Sequence, residues 1–263
     1  MKPVYIVSWL FALAISFVSC DDWLDKTPKD RLYPDVYFKT EDELRLFTNQ
    51  FYNNLVPSAV DIYSESSDLI VKSDLMLEMS GQRIIPDEGN GWNFTALRDI
   101  NFYLQYSHNC TEVNARNRYD GVARFFRAYF YFEKVKRYGD IPWYDKALDS
   151  DDPELYKARD SREFVMQKML EDLDFAIANL PKTKNAYVLT RWTALALKSR
   201  VCLFEGTFRK YHGLEDYEKY LNACVSASET FMNESGYTLY KSGSTPYRDL
   251  FASINLQADE VIF

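Results

Sequence analysis

Histidine is scarce in this sequence: among 263 residues only His108 and His212 carry an imidazole. They stand far apart, and neither has a cysteine or carboxylate beside it at metal-ligand spacing. Cysteine is scarce too, with four residues and no C-x-x-C pair, which argues against structural zinc. The signatures G-x-S-x-G, H-E-x-x-H, G-x-x-x-x-G-K and G-x-G-x-x-G are all missing. Nothing in the sequence therefore calls for a catalytic residue, a metal or a cofactor. Basic charge is also in deficit, 31 Lys and Arg against 39 Asp and Glu, for a net charge of -8. A nucleic-acid partner is excluded, because a phosphate-binding surface needs cations in excess.

Long hydrophobic runs are missing as well, apart from one of 15 residues at the N-terminus, Val4 to Val18. It is too short to span a bilayer, which takes roughly 20 apolar residues, but it fits the core of a signal peptide behind Lys2. The run ends in Phe17-Val18-Ser19-Cys20, which resembles the lipobox of bacterial lipoproteins. On that reading residues 1–19 are a signal peptide and Cys20 carries the lipid; the alternative is an ordinary secretory signal with an incidental cysteine. Asp21 and Asp22 follow directly and resemble the acidic signal that sends such lipoproteins to the cell surface. The lipid is the expected anchor, since an acidic body gains nothing from anionic head groups. Three cysteines then remain, an odd number that cannot form a closed disulfide framework. Cys202 and Cys224 fall on apolar helix faces, where buried free thiols are the expectation.

Aromatic residues are abundant: Tyr 20, Phe 18 and Trp 5, or 16% of the chain. Such a surplus suits a thick helical core or a face for sugars. Residues 20–39 read as an extended tether punctuated by Pro28 and Pro34. Thr40 with Glu43 forms a capping box, and Leu44, Phe47, Phe51 and Leu55 repeat at helical spacing up to Pro57. From Ser58 to about Gly91 no period holds. Irregular connections of that length are often functional, so this stretch is marked as the site region. Helices follow from Trp92 to about Gln105 and from about Glu112 to Tyr138. In the second, Arg124, Arg127, Lys134 and Arg137 form a narrow polar face, and the rest is so apolar that it must be covered on more than one side. Gly139 and Pro142 stop it. Asp160 with Glu163 opens a helix ended by Pro181, Thr190 opens another, and a last one runs from about Glu215 to Met232 with Tyr217, Tyr220, Leu221, Cys224 and Phe231 inward. The expected fold is all-α, antiparallel helix pairs stacked as in tetratricopeptide repeats, with long irregular loops. Glu260 to Phe263 is β-prone with no turn after it, which reads as a fragment's end.

Several stretches together resemble the SusD/RagB outer-membrane lipoproteins. They are Cys-Asp-Asp-Trp-Leu-Asp-Lys-Thr-Pro at 20–28, Tyr-Phe-Lys-Thr-Glu-Asp-Glu-Leu at 37–44, Trp92 to Leu104 with Arg98 and Asn101, Ala-Arg-Phe-Phe-Arg-Ala-Tyr-Phe-Tyr-Phe at 123–132, Arg-Tyr-Gly-Asp-Ile-Pro at 137–142, and Arg191 to Leu195. The resemblance implies a helical domain, here 40–263, that continues beyond this length in the family. It also implies a lipid-anchored surface protein that lies over a TonB-dependent outer-membrane transporter and holds oligosaccharide for import.

Sugar binding needs a flat ring for the C–H face and charged or amide groups for paired hydroxyls. The resemblance places such contacts near the irregular stretch, where Asp74, Arg83, Trp92 and Asn93 supply that chemistry. Each is equally readable as a solvated loop residue or a helix-start plug. Arg98, Asn101 and Arg127 read as structural. The expected function is non-catalytic glycan capture for a transporter. Peptide or glycoprotein capture, a structural adaptor, and a glycoside hydrolase using two of the 39 acids remain as alternatives.

Overall fold

The computed structural model describes residues 36–57, 77, 80–84, 91–253, 256–257 and 259–263. The expected signal peptide at 1–19, Cys20, Asp21, Asp22, most of the expected tether, Asp74 and most of the irregular stretch lie outside them. Phe38–Phe263 forms one unit by its internal packing. Its described residues hold seven α-helices and no strand: α1 Glu41–Leu55, α2 Thr95–Tyr106, α3 Val113–Tyr138, α4 Arg162–Asn179, α5 Arg191–Tyr211, α6 Tyr217–Glu234 and α7 Pro246–Ala252. The fold is all-α, a stack of helix pairs in which α3 packs on α4, α4 on α5 and α5 on α6, while α1 and α2 cover α3 from its other side. The turn between α5 and α6 is short, which returns the chain antiparallel along its neighbour.

Local chemistry sets most of the helix starts. At α1 the Glu43 amide donates to Thr40 Oγ1 over 3.4 Å, and the Glu43 carboxylate accepts the Thr40 amide at 3.1 Å. At α5 Thr190 and Thr193 exchange the same pair of bonds. Asp160, expected to open α4, does not: Ser161 caps that helix through the Phe164 amide. The Asp160 carboxylate instead accepts the Trp143 amide at 2.7 Å, and its carbonyl accepts the Ile141 amide at 3.1 Å. Those bonds close the base of the loop between α3 and α4. α2 starts at Thr95 rather than Trp92.

α3 is the axis of the fold. Its 26 residues include buried positions on every side, from Ala115 to Val135, as its breadth of apolar residues required. Arg127 departs from the expected polar face and is only 7% exposed. Its guanidinium grips Asp172 of α4 with two bonds, Nε to Oδ2 at 2.7 Å and Nη2 to Oδ1 at 2.8 Å. A charge this deep is tolerated only when paired and fully hydrogen-bonded. α3 ends at Gly139, whose φ of 71° puts it in the left-handed region that favours glycine.

The aromatic surplus is spent largely on the core between α1, α2 and α3. Phe38, placed in the tether by the sequence reading, is fully buried, with its ring 5.0 Å from Phe47 and 5.6 Å from Tyr103. It accepts a φ of 65°, strained by about 1–2 kcal/mol for a side chain of this kind, in exchange for that edge-to-face cluster. On α6 only Tyr220 and Ala227 are buried, and the other residues expected inward are half-buried because its main neighbour is α5 alone. Cys110, Cys202 and Cys224 are free thiols, the first two buried. The C-terminal Val261–Phe263 run is not a strand. With no sheet edge among the described residues to pair with, Ile262 packs on Trp192, Leu195 and Ala227, and the Phe263 ring lies 5.9 Å from Tyr52.

Candidate functional site

A cleft of about 770 Å³ opens to solvent between the start of α2 and the loop joining α3 to α4. Trp92, Phe94, Arg98 and Asp99 form one wall, and Tyr144, Lys146, Lys157 and Arg159 the other. Each wall is held by the fold. Asn101, fully buried on α2, donates from Nδ2 to the carbonyls of Tyr144 at 2.8 Å and Lys146 at 3.3 Å, and its Oδ1 accepts from Arg127 Nη1 at 3.3 Å. Tyr131 on α3 accepts the Tyr144 amide at 2.6 Å, and its ring stacks 4.2 Å from Trp143. Lys157 ties the loop to itself by donating to the Trp143 carbonyl at 2.6 Å and pairing with Asp160 at 3.0 Å. The Arg127–Asp172 pair is therefore the root of one wall: it fixes Asn101, and Asn101 fixes the backbone at 144–146.

Three rings line the cleft: Trp92, Phe94 and Tyr144. Trp92 is 39% exposed, its ring edge-on to Tyr138 at 4.9 Å and to Phe94 at 5.3 Å. The Arg159 guanidinium lies over the Trp92 ring, 4.9 Å from its centroid. Tyr144 is buried but reaches the cleft, and Phe94 bridges the two sides at 5.8 Å from Tyr144. Asp99 is the only carboxylate lining the cleft among the described residues, and burial pushes it up from the ordinary range against the pull of the adjacent Arg98. The Lys146 ammonium pairs with Glu154 at 3.0 Å and Asp152 at 3.5 Å.

Of the four candidate ligand contacts, Asp74, Arg83, Trp92 and Asn93, Trp92 alone is among the residues that line this cleft. Asn93 turns away: its Oδ1 accepts the Thr95 amide at 2.8 Å, closing the first turn of α2, and it lines a separate depression of about 540 Å³ beside Lys134. Arg83 is exposed and is not among the lining residues. Asp74 is outside the described residues. The loop residues Tyr144, Lys146, Lys157 and Arg159 were missed, since they have no periodicity and lie in an acidic stretch that reads as solvated connection. Arg127 is structural, whereas Asn101 and Arg98 line the cleft as well as hold it, Arg98 through its Nε, which donates to the Leu148 carbonyl at 3.3 Å.

Helix pairs stacked each on the next place the fold in the tetratricopeptide-like class of helical proteins. Within it the comparison is specific. A SusD-like family described as "Starch-binding associating with outer membrane" matches residues 58–191, and the chain belongs to that family. The SusD-like protein P38 of Formosa agariphila is 24% identical over 273 residues, 95% of this chain and 50% of that protein. A crystal structure of a SusD-like protein from Bacteroides fragilis superposes with a TM-score of 0.65 at 22% identity, over 90% of this chain and 47% of that one. A structure described as a laminarin-binding SusD-like protein gives a TM-score of 0.52 at 18% identity, over 65% of this chain and 35% of that one. The chain spans about half the length of the curated relatives it matches.

Proposed function

We propose that this chain is part of a cell-surface lipoprotein that captures oligosaccharide in the cleft at Trp92 and hands it to a TonB-dependent outer-membrane transporter, without chemical change. The observation that carries the reading is the cleft itself: rings from Trp92 and Tyr144 beside the planar donors of Arg98 and Arg159, in a chain whose family is described as starch-binding. Rings offer flat apolar surface to the C–H faces of a sugar, and forked donors bridge neighbouring hydroxyls. Capture is favoured over hydrolysis because glycoside cleavage takes two carboxylates astride the bond, and the described lining supplies Asp99 alone. The similar laminarin-binding protein supports a glycan over a peptide. Cys20 is the lipidated residue on this reading, and Asp21 and Asp22 direct it to the surface.

Isothermal titration of the full-length protein against a panel of polysaccharides tests the proposal. At least one glycan should bind, and Trp92→Ala should weaken it by about tenfold or more, the scale of one lost aromatic contact of about 1–2 kcal/mol. Tight binding of peptides with no glycan bound would reverse the assignment.

A further inference from the structure

We propose that the Trp92 cleft selects acidic saccharides, those carrying carboxylate or sulfate, and that Arg159 is the group that reads the anion. The inference rests on the glycan-capture reading and names the substrate class of the same site.

The lining is lopsided for so acidic a chain. Four cations, Arg98, Lys146, Lys157 and Arg159, face one carboxylate, Asp99, in a protein of net charge -8. Two of the four are answered by acids that do not line the cleft: Lys146 by Asp152 and Glu154, and Lys157 by Asp160. Arg159 has no carboxylate within ion-pairing distance among the described residues. It is held by the Trp92 ring at 4.9 Å. That arrangement changes what each residue can do for a ligand. Trp92 has a cation over its face, so less of the ring is available for a neutral sugar. The guanidinium, steadied by the ring, keeps its in-plane donors for a bidentate acceptor, which a carboxylate or sulfate matches better than a pair of hydroxyls. Arg98, whose Nε alone is committed to the Leu148 carbonyl, adds a second positive group on the opposite wall. Asp99, the one lining group that would repel an anion, lies next to Arg98 in the chain and is partly offset by it.

The experiment titrates the full-length protein with three size-matched ligands: a neutral laminari-oligosaccharide, an oligogalacturonate and a sulfated chondroitin oligosaccharide. Each is measured at low and at raised salt, for the wild type and for Arg159→Gln and Arg159→Lys. The expected result is affinity for one or both acidic ligands about tenfold or more above the neutral one, falling with salt, as a charge-assisted bond requires. Arg159→Gln should weaken the acidic ligands about tenfold more than the neutral one and so remove most of that preference, and Arg159→Lys should retain part of it. A preference for the galacturonate assigns a carboxylate ligand; a preference for the chondroitin, which carries both anions, assigns a sulfate ester only where the same oligosaccharide with its sulfate removed loses that preference. Equal or tighter binding of the neutral ligand overturns this inference and leaves the glycan reading standing, whereas absence of any saccharide binding overturns both. An acidic preference untouched by Arg159→Gln overturns the role given to Arg159. Arg159 is exposed, so far-UV circular dichroism of the variants should match the wild type.

Discussion

A buried charge is costly, and Arg127 shows what makes one tolerable. Burial alone would lower its affinity for the proton, but the hydrogen bonds and charge of Asp172 outweigh burial and hold it above the ordinary value. Arg127→Met takes both hydrogen-bonded contacts from Asp172, which is 2% exposed, and leaves it only the longer ion pair with Arg124 at 3.7 Å. Urea denaturation should show a loss of about 3–5 kcal/mol, with much of it recovered in Arg127→Met/Asp172→Leu, where the buried carboxylate is gone as well. Asp120 is perturbed in the opposite sense. Burial pushes its carboxyl above the ordinary 3.8, and the pull of Ser107, Tyr103, Arg124 and Arg116 does not cancel it. The folded state then holds a proton that the unfolded state has released. The stabilisation this contributes is complete below 3.8 and lost as pH rises through the raised folded value. Asp120→Asn removes the dependence, so its stability relative to wild type should climb across that window in denaturation curves taken at successive pH values.

Between elements, the decisive contacts are close approaches and cross-helix ion pairs. Gly206 on α5 faces Leu221 on α6 so closely that an added Cβ would stand 2.6 Å from Leu221 Cδ2 and 3.1 Å from the Leu221 amide nitrogen. Alanine is the better helix former by about 1 kcal/mol, but here the backbone neighbour cannot yield. Gly206→Ala should therefore destabilise by about 1–3 kcal/mol in thermal unfolding despite the propensity gain, and Leu221→Ala in the same chain should return part of it. Nearby, the fully buried Glu205 accepts from Arg162 Nε and from Arg209 Nε, each at 2.8 Å, while Arg209 also pairs with Glu163 and Tyr220 donates to Glu163 at 3.2 Å. Three successive helices are tied at one end by that network.

For the whole molecule the open question is attachment. No helix among the described residues is long and apolar enough to cross a membrane. The proposed anchor is instead the lipid on Cys20. Labelling of growing cells with palmitate should mark the protein, and Cys20→Ala should abolish the label; an unlabelled wild type would remove the surface-capture account. Replacing Asp21 and Asp22 together should leave the label in place but reduce accessibility to external protease.

Helices were legible from the sequence because their determinants are local. Thr40 with Glu43, the Thr190 start, Gly139 with Pro142, and the periodic apolar residues act within a turn or two of themselves, and the all-α stack follows from them. The exceptions are instructive: Ser161 took the cap assigned to Asp160, and the β-prone tail packed into a helical groove, because a free backbone amide or an apolar groove nearby outweighed local preference. The cleft was legible only through Trp92. Bringing Arg159 onto that ring, turning Asn93 into the start of α2 and sinking Arg127 onto Asp172 depend on groups far apart in the chain. Their partners are chosen by which surfaces the packed helices bring together, a property that no window of sequence contains.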